Sequence, residues 1–327
     1  MTTHLRPLNL GEILDRTAEL YRTHFLLFVG IAAIFAAAML CVQMLHLGVL
    51  ALIGYPHVPP HLGWAYAVVL VVQVLIILLV AGLSIAAFNR TVAWVYLDQP
   101  ATIRQAVRSV LPRIRRYLWL MAQTFLRAWA PLAVIYVLFF AIFFSVLPGD
   151  WMTNPSAIHT LQNQNPFALV EAGLGFLVLA PLLVLASVYG VLMSLRYSVA
   201  MPACVVEELG AAQAIKRSIE LSKGARGRIF VLGLLVYAIR LVIGTVLGFP
   251  LIFFALRHVG QPLPLGIAAA AQIGGFITNT FIGPIYSTGL TLFYYDQRVR
   301  KEGFDIEWMM QAAGLSPQAG IPAPEQP

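Results

Sequence analysis

Two arginines sit inside long apolar runs, and they are the residues of this 327-residue chain best suited to chemistry. Arg115 to Ala130 reads RRYLWLMAQTFLRAWA, and Arg228 to Val242 reads RIFVLGLLVYAIRLV. In each, a basic residue at the mouth of the run is followed twelve positions later by a second one, Arg127 or Arg240. At ~1.5 Å per helical residue that interval is about 18 Å, which carries the guanidinium deep into a hydrocarbon layer ~30 Å thick. Placing an arginine there costs roughly 2.5–3.5 kcal/mol on insertion scales, so each demands a partner or a polar pocket.

A guanidinium is a planar fork that holds a carboxylate or phosphate bidentately. One reading therefore makes Arg127 and Arg240 an anion site, for the phosphate of a lipid headgroup or for an anionic substrate. The other makes them internal ties that snorkel or donate to carbonyls, to Asn279 or to Gln272. Pro131 and Gly244 follow the two arginines by four residues, so a kink at equivalent depth is expected in both runs. Gln123, Thr124, Gln272, Thr278, Asn279 and Thr280 are available to line the resulting crevice, with Arg127, Arg240, Gln123 and Asn279 as the anion or lipid candidates. Glu171 lies in an apolar run at a depth ~20–25 Å from that of Arg127, too far for a partner.

Other chemistry finds no foothold. HExxH, G-x-S-x-G and Walker A patterns are absent, so no catalytic residue is assigned and no cofactor is expected. His57 and His61 flank two prolines, and neither they nor His159 and His258 are joined by Cys, Asp or Glu at metal-ligand spacing; no metal is expected. Cys41 and Cys204 form no CxxC pair and read as small buried hydrophobes. Basic patches interleaved with aromatics occur only beside apolar runs, which argues against nucleic acid as a partner.

The elements that must position the arginines are membrane spans. Hydrophobic residues make up 60% of the chain and charged residues only 11%, too few to coat a soluble protein of this size. Six apolar runs exceed the ~20 residues needed to cross a bilayer, at about 25–54, 62–89, 117–147, 166–195, 229–256 and 265–295. Of the 21 Lys and Arg, 18 fall on the side of the termini, which the positive-inside rule makes cytoplasmic. Ala36 to Ala38 satisfies a cleavage pattern, but the apolar run continues to Gly54, so the first span is expected to be a retained anchor. The fold expected is an all-α, six-helix membrane bundle over residues 25–299, preceded by an amphipathic segment 1–24 and followed by a juxtamembrane segment 300–315 and a disordered tail from Ser316.

Asn9 and Glu12 have capping-box spacing and predict an N-terminal helix, either interfacial or packed on a connecting loop. Between spans 2 and 3, Ile103, Val107, Val110 and Ile114 form an apolar stripe beside arginines; between spans 4 and 5, Ala212, Ile215 and Ile219 do the same. Gln105-Ala106-Val107-Arg108 corresponds to Gln213-Ala214-Ile215-Lys216. Asp98 in one connection and Glu207-Glu208 in the other precede these helices, where a helix dipole favours acid. Three similar hairpins in a pseudo-threefold arrangement are expected, each with a basic helix at its turn. Arg104, Arg108, Arg115, Arg116, Lys216, Arg217 and Arg228 are the candidates to face anionic headgroups, which makes anionic membrane lipid the expected partner, beside a protein partner or a second copy.

RPLNLGEILDRTAELYRTHF, AAQAIKRSIELSKG and LFYYDQRVRKEGFDIEWM together resemble the membrane domain related to that of glycerophosphoryl diester phosphodiesterases, over about residues 5–310. The resemblance implies a multi-spanning bacterial inner-membrane protein. It does not imply the phosphodiesterase reaction, because the soluble barrel with its catalytic His, Glu, Asp and divalent metal is missing from the sequence. The function expected is non-enzymatic: binding or organising anionic lipid or anchoring a partner, or else carrying an anionic amphiphile past the buried arginines.

Overall fold

In the computed structural model, which describes residues 6–52, 63–146, 163, 167–257 and 264–312, every regular element is a helix. The helices are α1 (Leu10–Thr23), α2 (Phe25–Leu52), α3 (Gly63–Tyr96), α4 (Ile103–Val110), α5 (Ile114–Val146), α6 (Ala168–Tyr197), α7 (Ala200–Val206), α8 (Ala211–Ser222), α9 (Arg226–Arg257), α10 (Leu265–Glu302) and α11 (Phe304–Ala312). Six stretches, in α2, α3, α4–α5, α6–α7, α9 and α10, are long and apolar enough to cross a membrane. The chain is an all-α polytopic bundle.

Two compact units make it up, one of residues 1–120 with 198–327 and the other of residues 121–197. In the first, α10 is the central element and packs against α1, α2, α3 and α9. Its inner third is buried because small and hydroxylated residues let neighbours approach: a Cβ on Gly289 would lie 3.1 Å from Leu232 of α9 and 3.4 Å from Thr17 of α1. The hydroxyls of Thr288 and Thr291 satisfy themselves on carbonyls one turn earlier, at 2.8 Å each. In the second unit α6 crosses α5 where a Cβ on Gly190 would come within 2.9 Å of Trp129. The Tyr189 hydroxyl reaches the Arg127 carbonyl in the same place, at 3.5 Å.

The capping box forms as spaced: Glu12 N–H donates to Asn9 Oδ1 at 2.8 Å, and Asn9 N–H to Glu12 Oε2 at 2.7 Å. Yet α1 packs along a span rather than on a loop. Leu8 N–H donates to Asp296, Thr17 meets Gly289, and the Tyr21 hydroxyl donates to the Phe281 carbonyl, so α1 follows α10 and buries Ile13, Thr17 and Leu20.

Further departures concern the connections. A short helix, α7, follows α6 after a break at Ser198 and Val199, and it is buried from Ala200 through Val205. Its run AMPACVV is short and carries no distinctive period, so pattern alone does not mark it as a helix. Pro100 lies ahead of the Thr102 N-cap, outside the helix, and Pro112 ends α4 just before the span, as a proline there should, in a 3-10 turn that leads into α5. The packed face of α8 is Ala211, Ala214, Ile215, Ser218, Leu221 and Ser222, a rotation that leaves Ala212 exposed, because α8 nests on α7 and α10 through its smallest residues. Helices α5 and α10 run on through Pro131 and Pro284.

The correspondence between the two connections holds locally. Gln105 and Gln213 both occupy the third helical position, and Ala106 and Ala214 are both fully buried. Asp98 and Glu208 each adopt φ 55°, and Gly303 after α10 adopts φ 65°. A left-handed residue thus punctuates the ends of α3, α7 and α10, each just ahead of a short helix.

Candidate functional site

A cleft of about 490 Å³ opens in the first unit between α2, α3, α9 and α10. Each helix contributes one stripe at helical spacing: Ala32, Phe35, Ala36 and Met39 from α2; Val80, Ala81, Ser84, Ile85 and Phe88 from α3; Gly233, Val236, Tyr237 and Arg240 from α9; Asn279, Ile282, Gly283, Tyr286 and Ser287 from α10. Ala and Gly create the room. A Cβ built on Gly283 meets nothing within 4 Å, so the side chain missing there is part of the empty volume.

Arg240 and Asn279 close one end of the cleft, where an Arg240 Nη donates to Asn279 Oδ1. Arg240 lies fourteen residues from the start of α9, and Asn279 fourteen from the start of α10, about 21 Å along each helix. Both are at mid-depth of their helices. Among the described residues Arg240 is the only cation in the lining, and the Asn279 carbonyl uses one edge of its fork while Arg240 stays exposed. The opposite end, near Gly233 and Ser287, adjoins the tight contact of Leu232 with Gly289, toward the end of the bundle that carries α1 and α11.

The other expected anion-site residues are not in this cleft. Arg127 and Gln123 belong to the second unit, where Arg127 is exposed and the Gln123 Oε1 is buried without a hydrogen-bond donor. Thr278 is buried and turns back on the Gly274 carbonyl at 3.0 Å, and Thr280 is buried as well. The hydrogen bond to Asn279 was one of the two fates foreseen for Arg240. Ser84, Tyr237, Tyr286 and Ser287 were missed; the signal that finds them is the recurrence of small or polar residues every three to four positions in four separate spans.

Arg104, Arg108, Arg115 and Lys216 are exposed and make no ion pair among the described residues. Arg116, Arg217 and Arg228 are instead engaged by the protein. Arg116 donates to the Glu208 carbonyl at 2.7 Å, Arg217 pairs with Glu207 at 3.0 Å and with Glu302, and Arg228 reaches Asp296 at 3.3 Å. Asp98, Glu207 and Glu208 were assigned to helix starts for dipole reasons; for the two glutamates, ion pairing explains the placement better. Glu208 accepts from Arg113 through both carboxylate oxygens and from Arg90 at 3.2 Å, and the Arg113 hydrogen bonds hold its carboxyl below the ordinary carboxylate value. Glu207 also accepts from the Tyr294 hydroxyl at 2.6 Å. Asp296, fully buried, gathers Arg228, Arg300 and the Leu8 N–H. These pairs tie α3, α5, α8, α9 and α10 together at one end of the first unit.

Among the described residues no group of three or more His, Cys, Asp or Glu is disposed to hold a metal. His57, His61, His159, His258, the tail from Ser316 and the Glu171 side chain lie outside the described residues. Cys204 is buried and Cys41 is exposed, contrary to the expectation that both are buried, because Cys41 points away from the α10 face of α2. Comparison of the chain with protein-family models, curated proteins and solved structures finds no match.

Proposed function

We propose that this chain is a non-enzymatic, multi-pass protein of a bacterial cytoplasmic membrane, with cytoplasmic termini, that binds and organises an anionic amphiphile. The observation that carries the reading is Arg240, exposed and lining the mid-depth end of a mostly apolar cleft. A structural tie alone needs no adjoining cleft; a ligand site does. Arg104, Arg108, Arg115 and Lys216, exposed and unpaired, complement anionic headgroups at ~1 kcal/mol per charge near the surface. The resemblance of three segments to the phosphodiesterase-associated membrane domain bears on a multi-pass membrane protein and assigns no activity. A carrier for the same amphiphile is the second reading, favoured by the mid-depth position of the arginine.

The experiment is native mass spectrometry of the detergent-purified chain, comparing co-purified amphiphile in wild type, Arg240→Leu and Arg127→Leu. Retention in Arg127→Leu and loss in Arg240→Leu support the reading. Equal retention in all three, or none in any, places the two arginines among structural residues.

A further inference from the structure

The cleft also restricts which amphiphile it takes and which way round it lies. Along α10 its lining runs from Asn279 to Ser287, eight residues, or ~12 Å. Half of a ~30 Å hydrocarbon layer is about 15 Å, the depth reached by one lipid chain. At about 490 Å³ the cleft falls among sites for ligands of drug size, ~300–1,000 Å³, with space for a single chain rather than a pair.

The charge is restricted in the same way. Among the described residues one cation, Arg240, lines the cleft, and its fork matches the two oxygens of one carboxylate. A phosphate monoester brings a second negative charge that no second cation in the lining offsets, and an unpaired charge at that depth is strongly unfavourable.

Direction follows from where the charge stands. Arg240 and Asn279 are at the end of the cleft farther from α1 and α11, and the apolar volume lies between them and Gly233 and Ser287. An amphiphile with its head at Arg240 therefore extends its tail toward the end of the bundle that carries α1 and α11. We infer that the cleft holds a single-chain carboxylate, a medium-chain fatty acid, with its carboxylate on Arg240 and its methyl end near Gly233 and Ser287. This orientation is that of a molecule from the leaflet opposite α1 and α11, drawn inward by about half a bilayer. The inference rests on the proposed amphiphile-binding role and adds the ligand class and polarity.

The test uses the full chain in nanodiscs with a fatty acid bearing a photoreactive diazirine near its methyl end, followed by mapping of the cross-linked peptides. Labelling on α9 around residues 229–236 and on α10 around 283–290 is expected, with affinity reduced about tenfold or more in Arg240→Leu. Gly283→Leu, which fills open space, should abolish labelling while the protein stays folded. Labelling confined to α9 beyond Arg240 or to α10 before Asn279 overturns the polarity. Stronger, Arg240-dependent binding of an alkyl phosphate of equal chain length or of phosphatidylglycerol overturns the ligand class yet leaves the proposed role standing. Absence of any saturable, Arg240-dependent amphiphile overturns both.

Discussion

At the scale of single residues, Arg240 is set apart by what surrounds it. Its hydrogen bond to Asn279 joins α9 to α10, but one neutral acceptor does not discharge a guanidinium at mid-depth. Arg240→Lys keeps the charge and loses the fork, so amphiphile affinity should fall by severalfold, less than in Arg240→Leu, in the same nanodisc titration. Glu208 offers a separate test. Its carboxyl value is depressed from the ordinary 4.5 by Arg113, so its contribution to stability is complete above that value and disappears as pH falls through the lower, folded-state value. Thermal unfolding in detergent should be flat from neutral pH to about pH 5 and decline below the ordinary carboxylate range. Glu208→Gln should show a lower melting temperature at neutral pH and a shallower acid decline. An unchanged acid limb in that variant would remove Glu208 from the account.

At the scale of elements, glycines and small residues decide which helices touch and which stand apart. Gly190 admits Trp129 so closely that Gly190→Val should cost about 1–3 kcal/mol in thermal unfolding, whereas Gly283→Ala should be neutral or stabilising because its Cβ points into open space. The same contrast explains what was legible beforehand. The long helices were readable because twenty or more apolar residues admit one explanation, and the α1 cap was readable because Asn9 and Glu12 hold a specific reciprocal geometry. The face of α8 was not, since Ala212 and Ala214 are equally apolar and only the neighbours α7 and α10 choose between them. Arg240 announced itself by type. The cleft beside it did not, because a void is a property of four helices and of no single stretch.

At the scale of the whole molecule, the N-terminal segment is drawn to the last long helix by charge. Asp296, with no exposed side-chain surface, accepts from Leu8 N–H at 2.8 Å and pairs with Arg228 and Arg300. Asp296→Ala should cost about 2–3 kcal/mol and release the N-terminal segment, seen as faster hydrogen exchange over residues 8–20; unchanged exchange there would show that α1 is held by its apolar face alone. On this frame the cleft is an apolar volume with one cation at its far end, and the central claim is that the volume exists for a ligand. The most direct measurement is the binding isotherm of a medium-chain fatty acid to nanodisc-embedded wild type and Gly283→Leu, with melting temperatures taken on the same samples. Saturable binding to wild type, lost in a Gly283→Leu protein that melts no lower, is the predicted result. Equal binding to both, with melting unchanged, would contradict it.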